Sequence, residues 1–368
     1  MMGKRIFFEP PHSVVYRLNY FFCALCLFCA VLCASCDKKE SARTQTVLGT
    51  VCSINAYTDG TPALYDILFS RLEEIEQRFS VHRDDSDISA INRAAGVRPV
   101  FVHNDVFYVI SVALFYAELS GGLFDPTVGP LVSLWNINSE NPHVPSSAEL
   151  RSVLPLIDWC KVSISASDGN SVFLHQTGMA LDLGAIVKGY AADEMARILG
   201  EQQVKAAIIN LGGNVYAFGK KPNNSVWNIG IKNPELPESE PAAVIHAAPN
   251  TTVVTSGAYE RFFVQNGIRY HHILNPRTGF PAESSVASAT VVWRSSLDAD
   301  ALSTIAFLLG PEAYSRLPIF TNPEPFGGVY DRQLGAVFIA NDGSIQASKN
   351  LSQKIEAYGA LPATISFF

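Results

Sequence analysis

Residues 181–194 read LDLGAIVKGYAADE. An apolar, strand-like run breaks at Gly184, and beyond it the apolar spacing turns helical, which predicts a helix over 185–199 stopped by Gly200. Asp182, Gly184 and Lys188 fall within seven positions at this junction. Gly184 permits close approach of the backbone to a ligand. The helix behind it offers free N–H groups and the positive end of its dipole, which suit a phosphate. Lys188 adds a mobile point charge. A solvated lysine on a first helical turn fits the same residues, so two readings stand here. The phosphate loop G-x-x-x-x-G-K-[ST] is absent, and so is the G-x-G-x-x-G of a dinucleotide fold.

Outward from this junction, helices and strands interleave without regular βαβ alternation. Leu64, Leu68, Leu72, Ile75 and Phe79 recur at steps of three and four, with Glu73, Glu74 and Gln77 on the other face, predicting a helix over 62–79. A second helix is expected over 105–119, capped by Asn104. Ser146 and Glu149 form a capping box for a short third. The fifth runs about 299–309 and stops at Gly310. Strand-like runs lie at 46–57, 159–165, 170–175, 206–218, 226–232, 251–255, 261–266, 286–293 and 335–340. Several are separated only by turns, so antiparallel pairing is expected. The fold class is α+β, with mixed or antiparallel sheets packed against helices. The Pro- and Glu-rich 233–242 reads as a surface insertion.

The first 35 residues differ from the rest. Lys4, Arg5 and Arg17 precede the uncharged apolar run 18–35, the pattern of a signal peptide, with an uncleaved membrane anchor as its rival. The run ends in L-C-A-S-C, similar to a loosely written bacterial lipobox in which Cys36 becomes an acylated N-terminus. Residues 36–46 then serve as a polar tether, 47–345 as the folded domain and 346–368 as a C-terminal extension. A lipid on Cys36 would hold the body on the periplasmic side of the bacterial inner membrane; free secretion or an uncleaved anchor would also place it outside the cytoplasm. Five of the seven cysteines (23, 26, 29, 33 and 36) belong to the leader, leaving Cys52 and Cys160, too few for a disulfide framework or a Cys-rich zinc site. Without residues 1–35 the chain carries 24 basic and 33 acidic residues, a net charge of −9. No nucleic-acid partner is expected of such a body. Its length suffices for one large domain or two fused ones with a real core.

Four further segments carry candidate chemistry. In 295–310, SSLDADALSTIAFLLG, Asp300 and Thr304 share a helical face with Asp298 just before them. A carboxylate with a hydroxyl is a hard-oxygen pair suited to Mg²⁺, although N-terminal capping and a Thr304 bond back to its own helix account for the same residues. In 269–281, RYHHILNPRTGFP, adjacent His271 and His272 point to opposite faces if extended, so they would not ligate one metal together. One of them is placed for proton exchange near neutral pH, or is structural. In 121–135, GGLFDPTVGPLVSLW, glycines and prolines spell a folded loop, which serves as a structural turn or as a backbone-lined pocket for a flat ring. TSGAYERFF (255–263) reads as a tight turn entering a strand.

Together and in this order, these stretches resemble the ApbE family of FAD:protein FMN transferases. The matching segments are LGTVCSI (48–54), RFSVHRDDSDISAIN (78–92), GGLFDPTVGPL (121–131), LDLGAIVKGYAAD (181–193), INLGGNVYAFG (209–219), TSGAYERFF, HHILNPRTG (271–279) and DADALSTIAFLLG (298–310). The resemblance implies Mg²⁺-dependent cleavage of FAD, with FMN passed to a threonine hydroxyl of a partner and AMP released. It implies that Asp182 and Lys188 contact FAD, and that Asp300, Thr304 and the carbonyl near Ala185 hold Mg²⁺. Phe124, Asp125 and Thr127 of the 121–127 loop, Phe79 and the Leu48–Gly49 turn would line the flavin or adenine pocket. His272 would accept the threonine proton, and Ile273 or Leu274 would form a pocket wall. The acceptor implied is a redox-pump subunit carrying a D-x-x-[ST]-G-A-T-like segment.

The sequence departs from the family's pattern at Leu48 and Cys52, where Met and an aromatic are usual, and at Asn214 and Asn275, where Asp is usual. Two lost carboxylates leave room for water to replace the threonine, which would make the protein an FAD pyrophosphatase. An alternative from another class is a lipoprotein that binds or stores FAD without turnover.

Overall fold

The computed structural model describes residues 41–167, 169–236, 240–317, 319, 334–359 and 364–368. The expected leader, Cys36 and the first part of the tether lie outside the described residues. In chain order the elements are β1 (Arg43–Val47), β2 (Thr50–Asn55), α1 (Pro62–Phe79), α2 (Asp87–Arg93), β3 (Val100–Phe101), α3 (Asn104–Leu119), α4 (Gly129–Trp135) and α5 (Ser147–Val153). There follow β4 (Val162–Ser165), β5 (Ser171–Leu174), α6 (Val187–Glu201), β6 (Ala206–Leu211), β7 (Asn214–Gly219), β8 (Trp227–Ile231), β9 (Ala243–Ala247), β10 (Thr251–Gly257), β11 (Phe262–Gln265) and β12 (Ile268–His271). The chain closes with β13 (Val286–Trp293), α7 (Ser296–Tyr314), β14 (Gly335–Ala340), β15 (Ile345–Ala347), β16 (Ile355–Ala357) and β17 (Ile365–Phe367).

Nine strands form one sheet in the order β1-β2-β6-β7-β10-β13-β14-β15-β17, in which every pairing is antiparallel except β15 with β17. Its central strands are apolar on both faces, and the two-residue period sorts the residues. Val254, Val291 and Ala336 face the large core beneath α6 and α7, while Val253, Val292 and Val337 face a second core closed by the small sheet β16-β9-β8. The α+β reading holds. The sheet reaches beyond the expected domain limits of 47 and 345: β1 starts at Arg43, and residues 346–368, expected as an extension, supply strands to both sheets. The expected strand 46–57 bends at Leu48 and Gly49, both left-handed, into the β1–β2 hairpin.

Helix α1 matches its expected bounds. The Thr61 side chain accepts from the Leu64 amide, Pro62 occupies the first turn, and the predicted stripe is buried. The Ser146–Glu149 capping box forms as read. Four expectations need correction. Asn104 does not cap α3; it sits inside the first turn, and its Oδ1 accepts from Asn170 Nδ2 at 2.8 Å. Gly200 does not stop α6, which runs on to Glu201 before Gln203 turns left-handed. Gly310 breaks α7 only as a kink (φ 70°), after which Pro311 opens another helical turn. The stretch 121–135 is a loop only in its first half, since Gly129–Trp135 is helical with Pro130 in the first turn.

Helices α6 and α7 cap each other. Asp193 of α6 accepts the Ser296 and Leu297 amides of α7, both at 2.9 Å, and Asp300 of α7 accepts the Gly189 amide of α6 at 2.9 Å. Four amides at a helix start have no partner within the helix, and each carboxylate answers some of those on its neighbour. Burial pushes Asp193 up to about 7 against the pull of its two amide partners. The exchange requires the helices almost to touch. A Cβ on Gly189 would collide with the Ser296 carbonyl and come within 2.7 Å of Leu297 Cα.

A third, small apolar cluster of Leu131, Trp135, Leu150 and Leu274 lies apart from the two cores, with Phe263 and Tyr270 packed against it. It carries the two-stranded ribbon β11–β12, through stacking of Phe263 on Tyr270 and contact of both with Trp135.

Gly189→Ala should force α6 and α7 apart, lowering stability by about 1–3 kcal/mol as for other overpacked sites. Urea unfolding together with FAD titration checks this; an unchanged midpoint would mean that the helix contact yields without cost.

Candidate active site

The junction at 181–188 is folded by short local bonds. Asp182 Oδ1 accepts the Gly184 amide at 2.8 Å, an Asx turn that swings the chain from its extended run into α6. The Asp182 amide donates to the Pro126 carbonyl (2.9 Å) and the Gly129 amide to the Ala180 carbonyl (3.2 Å), so the 121–129 loop is strapped against this junction. A cleft of about 240 Å³ opens between the loop, the start of α6, the middle of α7, the end of β10 and the segment after β12.

Ten of the expected residues line this cleft: Phe124, Asp125, Asp182, Ala185, Lys188, His272, Ile273, Leu274, Asp300 and Thr304. Lys188 Nζ donates to the Gly184 carbonyl at 2.9 Å and lies 3.7 Å from Asp300 Oδ2. Asp300 is almost fully buried, and one of its oxygens is shared between the Gly189 amide and this ammonium. Lys188 is therefore not a freely solvated lysine, and Asp300 does not cap its own helix. Nor does Asp298, whose Oδ1 accepts from the Tyr116 hydroxyl at 2.7 Å; Ser295 is the N-cap of α7.

His272 follows β12 directly. Its Nδ1 lies 3.2 Å from the Arg261 carbonyl, which accepts only from a protonated Nδ1. That bond fixes the tautomer and leaves Nε2 as the basic nitrogen. Burial, followed by the Arg261 guanidinium and then the Lys188 ammonium and His271, holds the ring down to about 4. His272 is thus neutral and proton-accepting at neutral pH. His271 points the other way, as expected for neighbours in a strand: its Nε2 lies 3.1 Å from the Ala282 carbonyl inside the core. Burial lowers its affinity for a proton as well.

Three expected residues do not line the cleft. Phe79 is buried in α1 against the Tyr190 ring, 5.8 Å between centroids. Leu48 shapes the β1–β2 turn, whose Gly49 carbonyl accepts from Arg261 Nη2 at 3.0 Å; Thr50 reaches the cleft in its place. Thr127 is fully buried and acts on its neighbour, donating to Asp125 Oδ1 from both its amide (2.8 Å) and its hydroxyl (2.6 Å). The carboxylate of Asp125 is thereby committed within the protein, and burial raises its pKa despite these donors.

Sequence reasoning passed over Thr50, Ser256, Glu260 and Arg261, all of which line the cleft. Ser256 bridges Ser303 (2.8 Å) and Thr304 (3.4 Å), tying the end of β10 to α7 beside Asp300. The only signal for Ser256, Glu260 and Arg261 is the segment TSGAYER, which has no periodicity and no paired partner nearby in sequence. Of the departures, Asn275 closes its own turn by accepting the Arg277 amide (2.9 Å) and does not line the cleft. Asn214 does line it. Its Oδ1 accepts from Ser296 Oγ at 2.6 Å, and its buried Nδ2 has no partner among the described residues. Cys52 is fully buried, donates to the Val47 carbonyl and does not line the cleft; burial drives its thiol up to about 11.

Around Asp300 the cleft offers its carboxylate, the Thr304 and Ser256 hydroxyls and, through Lys188, the Gly184 carbonyl, with Ala185 in the lining. No group of three or more His, Cys, Asp or Glu side chains able to hold a metal occurs among the described residues. All-oxygen donors with few charges fit a hard cation that keeps waters and substrate phosphates in its shell.

A sequence model of the ApbE family matches residues 48–318. The chain is 36% identical over 356 residues to a protein of Treponema pallidum (strain Nichols) named FAD:protein FMN transferase, covering 91% of this chain and 95% of that protein. It is 38% identical over 276 residues to a protein of the same name from Klebsiella pneumoniae (strain 342), covering 75% of this chain and 84% of the relative. Among solved structures, the ApbE protein of Thermotoga maritima superposes with a TM-score of 0.72 at 30% identity, over 85% of this chain and 98% of that one. The apo flavinyl transferase ApbE of Pseudomonas stutzeri gives 0.71 at 27% identity, over 86% and 97%. The chain belongs to the ApbE family.

Proposed function

We propose that the protein is an FAD:protein FMN transferase that uses Mg²⁺, joins FMN to a threonine of an acceptor protein and releases AMP. The observation that carries this reading is that Lys188, Asp300, Thr304 and a neutral His272 share one cleft. His272 Nε2 takes the proton from the threonine hydroxyl as its oxygen attacks the phosphorus of the FMN half. The bond from that phosphorus to the bridging oxygen breaks, and AMP leaves with the bridging oxygen and its electrons. Lys188 neutralises charge on the diphosphate, and its bond to the Gly184 carbonyl fixes it in place beforehand. The Asp300 carboxylate, the Thr304 hydroxyl and the Ala185 carbonyl would hold Mg²⁺, which when bound supplies further neutralisation of the phosphate oxygens. Phe124, Ile273 and Leu274, together with Leu123, Val128 and Val254, give the cleft apolar surface for a flat ring.

The acceptor is an envelope redox-pump subunit with a D-x-x-[ST]-G-A-T-like segment, and a lipid on Cys36 tethers the enzyme to the periplasmic side of the inner membrane where that subunit is reached. Incubation of residues 37–368 with FAD, Mg²⁺ and a peptide carrying that segment tests the reading. Flavinylated peptide and AMP in equal amounts are expected. AMP without labelled peptide would leave an FAD pyrophosphatase, and FAD binding without AMP a storage protein.

Asp300→Asn keeps an oxygen for the Gly189 amide yet removes the charge. AMP release should fall at least about 100-fold, while the Kd for FAD changes about fivefold or less, because the lost interaction matters most as charge develops. Parallel losses in both would count against Asp300 acting on the reacting phosphates.

The pH profile offers a separate check. His272 is held below the usual 6.5, so kcat/KM should stay level as pH falls from 8 through 6.5 and break only nearer 4. His272→Asn should remove about 100-fold or more of the rate with FAD still bound. A break at 6.5 in the unaltered protein would argue against His272 as the base.

A further inference from the structure

The ribbon β11–β12 runs from Phe262 to His271 between Arg261 and His272, which both line the cleft, so its base adjoins the cleft while its body packs on the small cluster. Its register pairs Phe262 with His271, Phe263 with Tyr270, Val264 with Arg269 and Gln265 with Ile268. The His272 amide donates to the Arg261 carbonyl. In an antiparallel pair, bonded and non-bonded positions alternate. Phe263 and Gln265 therefore bond inward to β12, and the N–H and C=O groups of Phe262 and Val264 point away from it. Among the described residues, no strand pairs with that outer edge.

The edge is only four residues long, which is one device that guards an edge, but the others are missing. It has no proline, no bulge and no charged side chain, and Phe262 and Val264 are 40% and 59% exposed. The charge pattern is equally specific. In a chain with more acids than bases, the stretch between Glu260 and Glu283 holds three arginines and neither Asp nor Glu. The Arg269 guanidinium lies over the Phe262 ring, 4.4 Å from its centroid, and Arg261 is anchored to the Gly49 carbonyl. An open strand edge with an apolar face and a cationic surround suits an extended, acidic polypeptide, recognised through its backbone and alternate side chains.

We propose that the acceptor protein docks by adding an extended acidic segment as a third strand on the outer edge of β11. This rests on the transferase reading, since that reaction calls for a polypeptide at the mouth of the cleft. A strand on this edge runs alongside Arg261, whose carbonyl holds His272. His272 lies on the other side of Arg261 from this edge, so a hydroxyl-bearing residue beyond the last backbone bond must cross the start of β11 to meet the basic Nε2. The main chain supplies affinity, and the reacting residue lies past the paired segment.

The test uses residues 37–368 with FAD and an acidic peptide containing D-x-x-T-G-A-T, its reacting threonine replaced by valine so that nothing is transferred. Amide hydrogen exchange at Phe262 and Val264 should slow at least tenfold on adding peptide, with Phe263 and Gln265 little changed. This measurement stands whether or not FMN is ever transferred, so failure of docking and failure of the transferase reading are told apart. Unchanged exchange at Phe262 and Val264 under peptide concentrations that saturate binding overturns the proposal, as does protection confined to β12. The second arm is Val264→Pro, which removes one outward donor and no inward bond. Transfer to the threonine peptide below saturation should fall at least tenfold with the Kd for FAD unchanged; equal rates overturn the proposal. Replacing the peptide's aspartate by lysine should weaken binding at least fivefold, and equal binding overturns the acidic character assigned to the segment.

Discussion

Everything at the cleft depends on two helices starting against each other. A helix start is a cluster of unanswered amides with a partial positive charge, and α6 and α7 each bring one to the same place. Left alone, two such ends repel. Here each helix lends the other a carboxylate, Asp193 in one direction and Asp300 in the other. Asp193 is used entirely in this exchange. Asp300 is not, because only one of its oxygens meets the Gly189 amide, and the same residue that stabilises the junction faces the cleft. Close approach at Gly189 makes the arrangement possible, and Lys188, one residue earlier, is carried to Asp300 by the same contact.

The electrostatics follow from that arrangement. Lys188, Arg261 and the start of α6 bring positive charge to the His272 side of the cleft, which also carries the buried carboxylates of Asp125 and Asp300. A histidine in such surroundings cannot easily take a second proton, and the Arg261 carbonyl decides which nitrogen keeps the first. The features that draw an anionic diphosphate are thus the ones that keep His272 basic in form.

What the sequence discloses follows the range of the interaction. Helix α1 is legible because its apolar stripe repeats over five turns, and the box at Ser146 because both partners lie within four residues. Helices α2 and α4 last two turns each, too short for a period to emerge. Asn104 and Gly200 have the residue types of helix ends, yet tertiary contacts place the ends elsewhere. Within the site, Lys188, Asp300, Thr304 and His272 stand out by chemistry and by ordered resemblance. Phe79 and Leu48 do not line the cleft, because proximity along a motif is not direction of a side chain. Reciprocal capping spans more than a hundred residues and leaves no local trace.

The small cluster around Trp135 has a mechanical consequence. Ile273 packs with the large core and Leu274, its neighbour, with the small one, so the two walls of the cleft belong to different hydrophobic bodies. The ribbon β11–β12 therefore rests on the smaller of the two bodies, apart from the nine-stranded sheet.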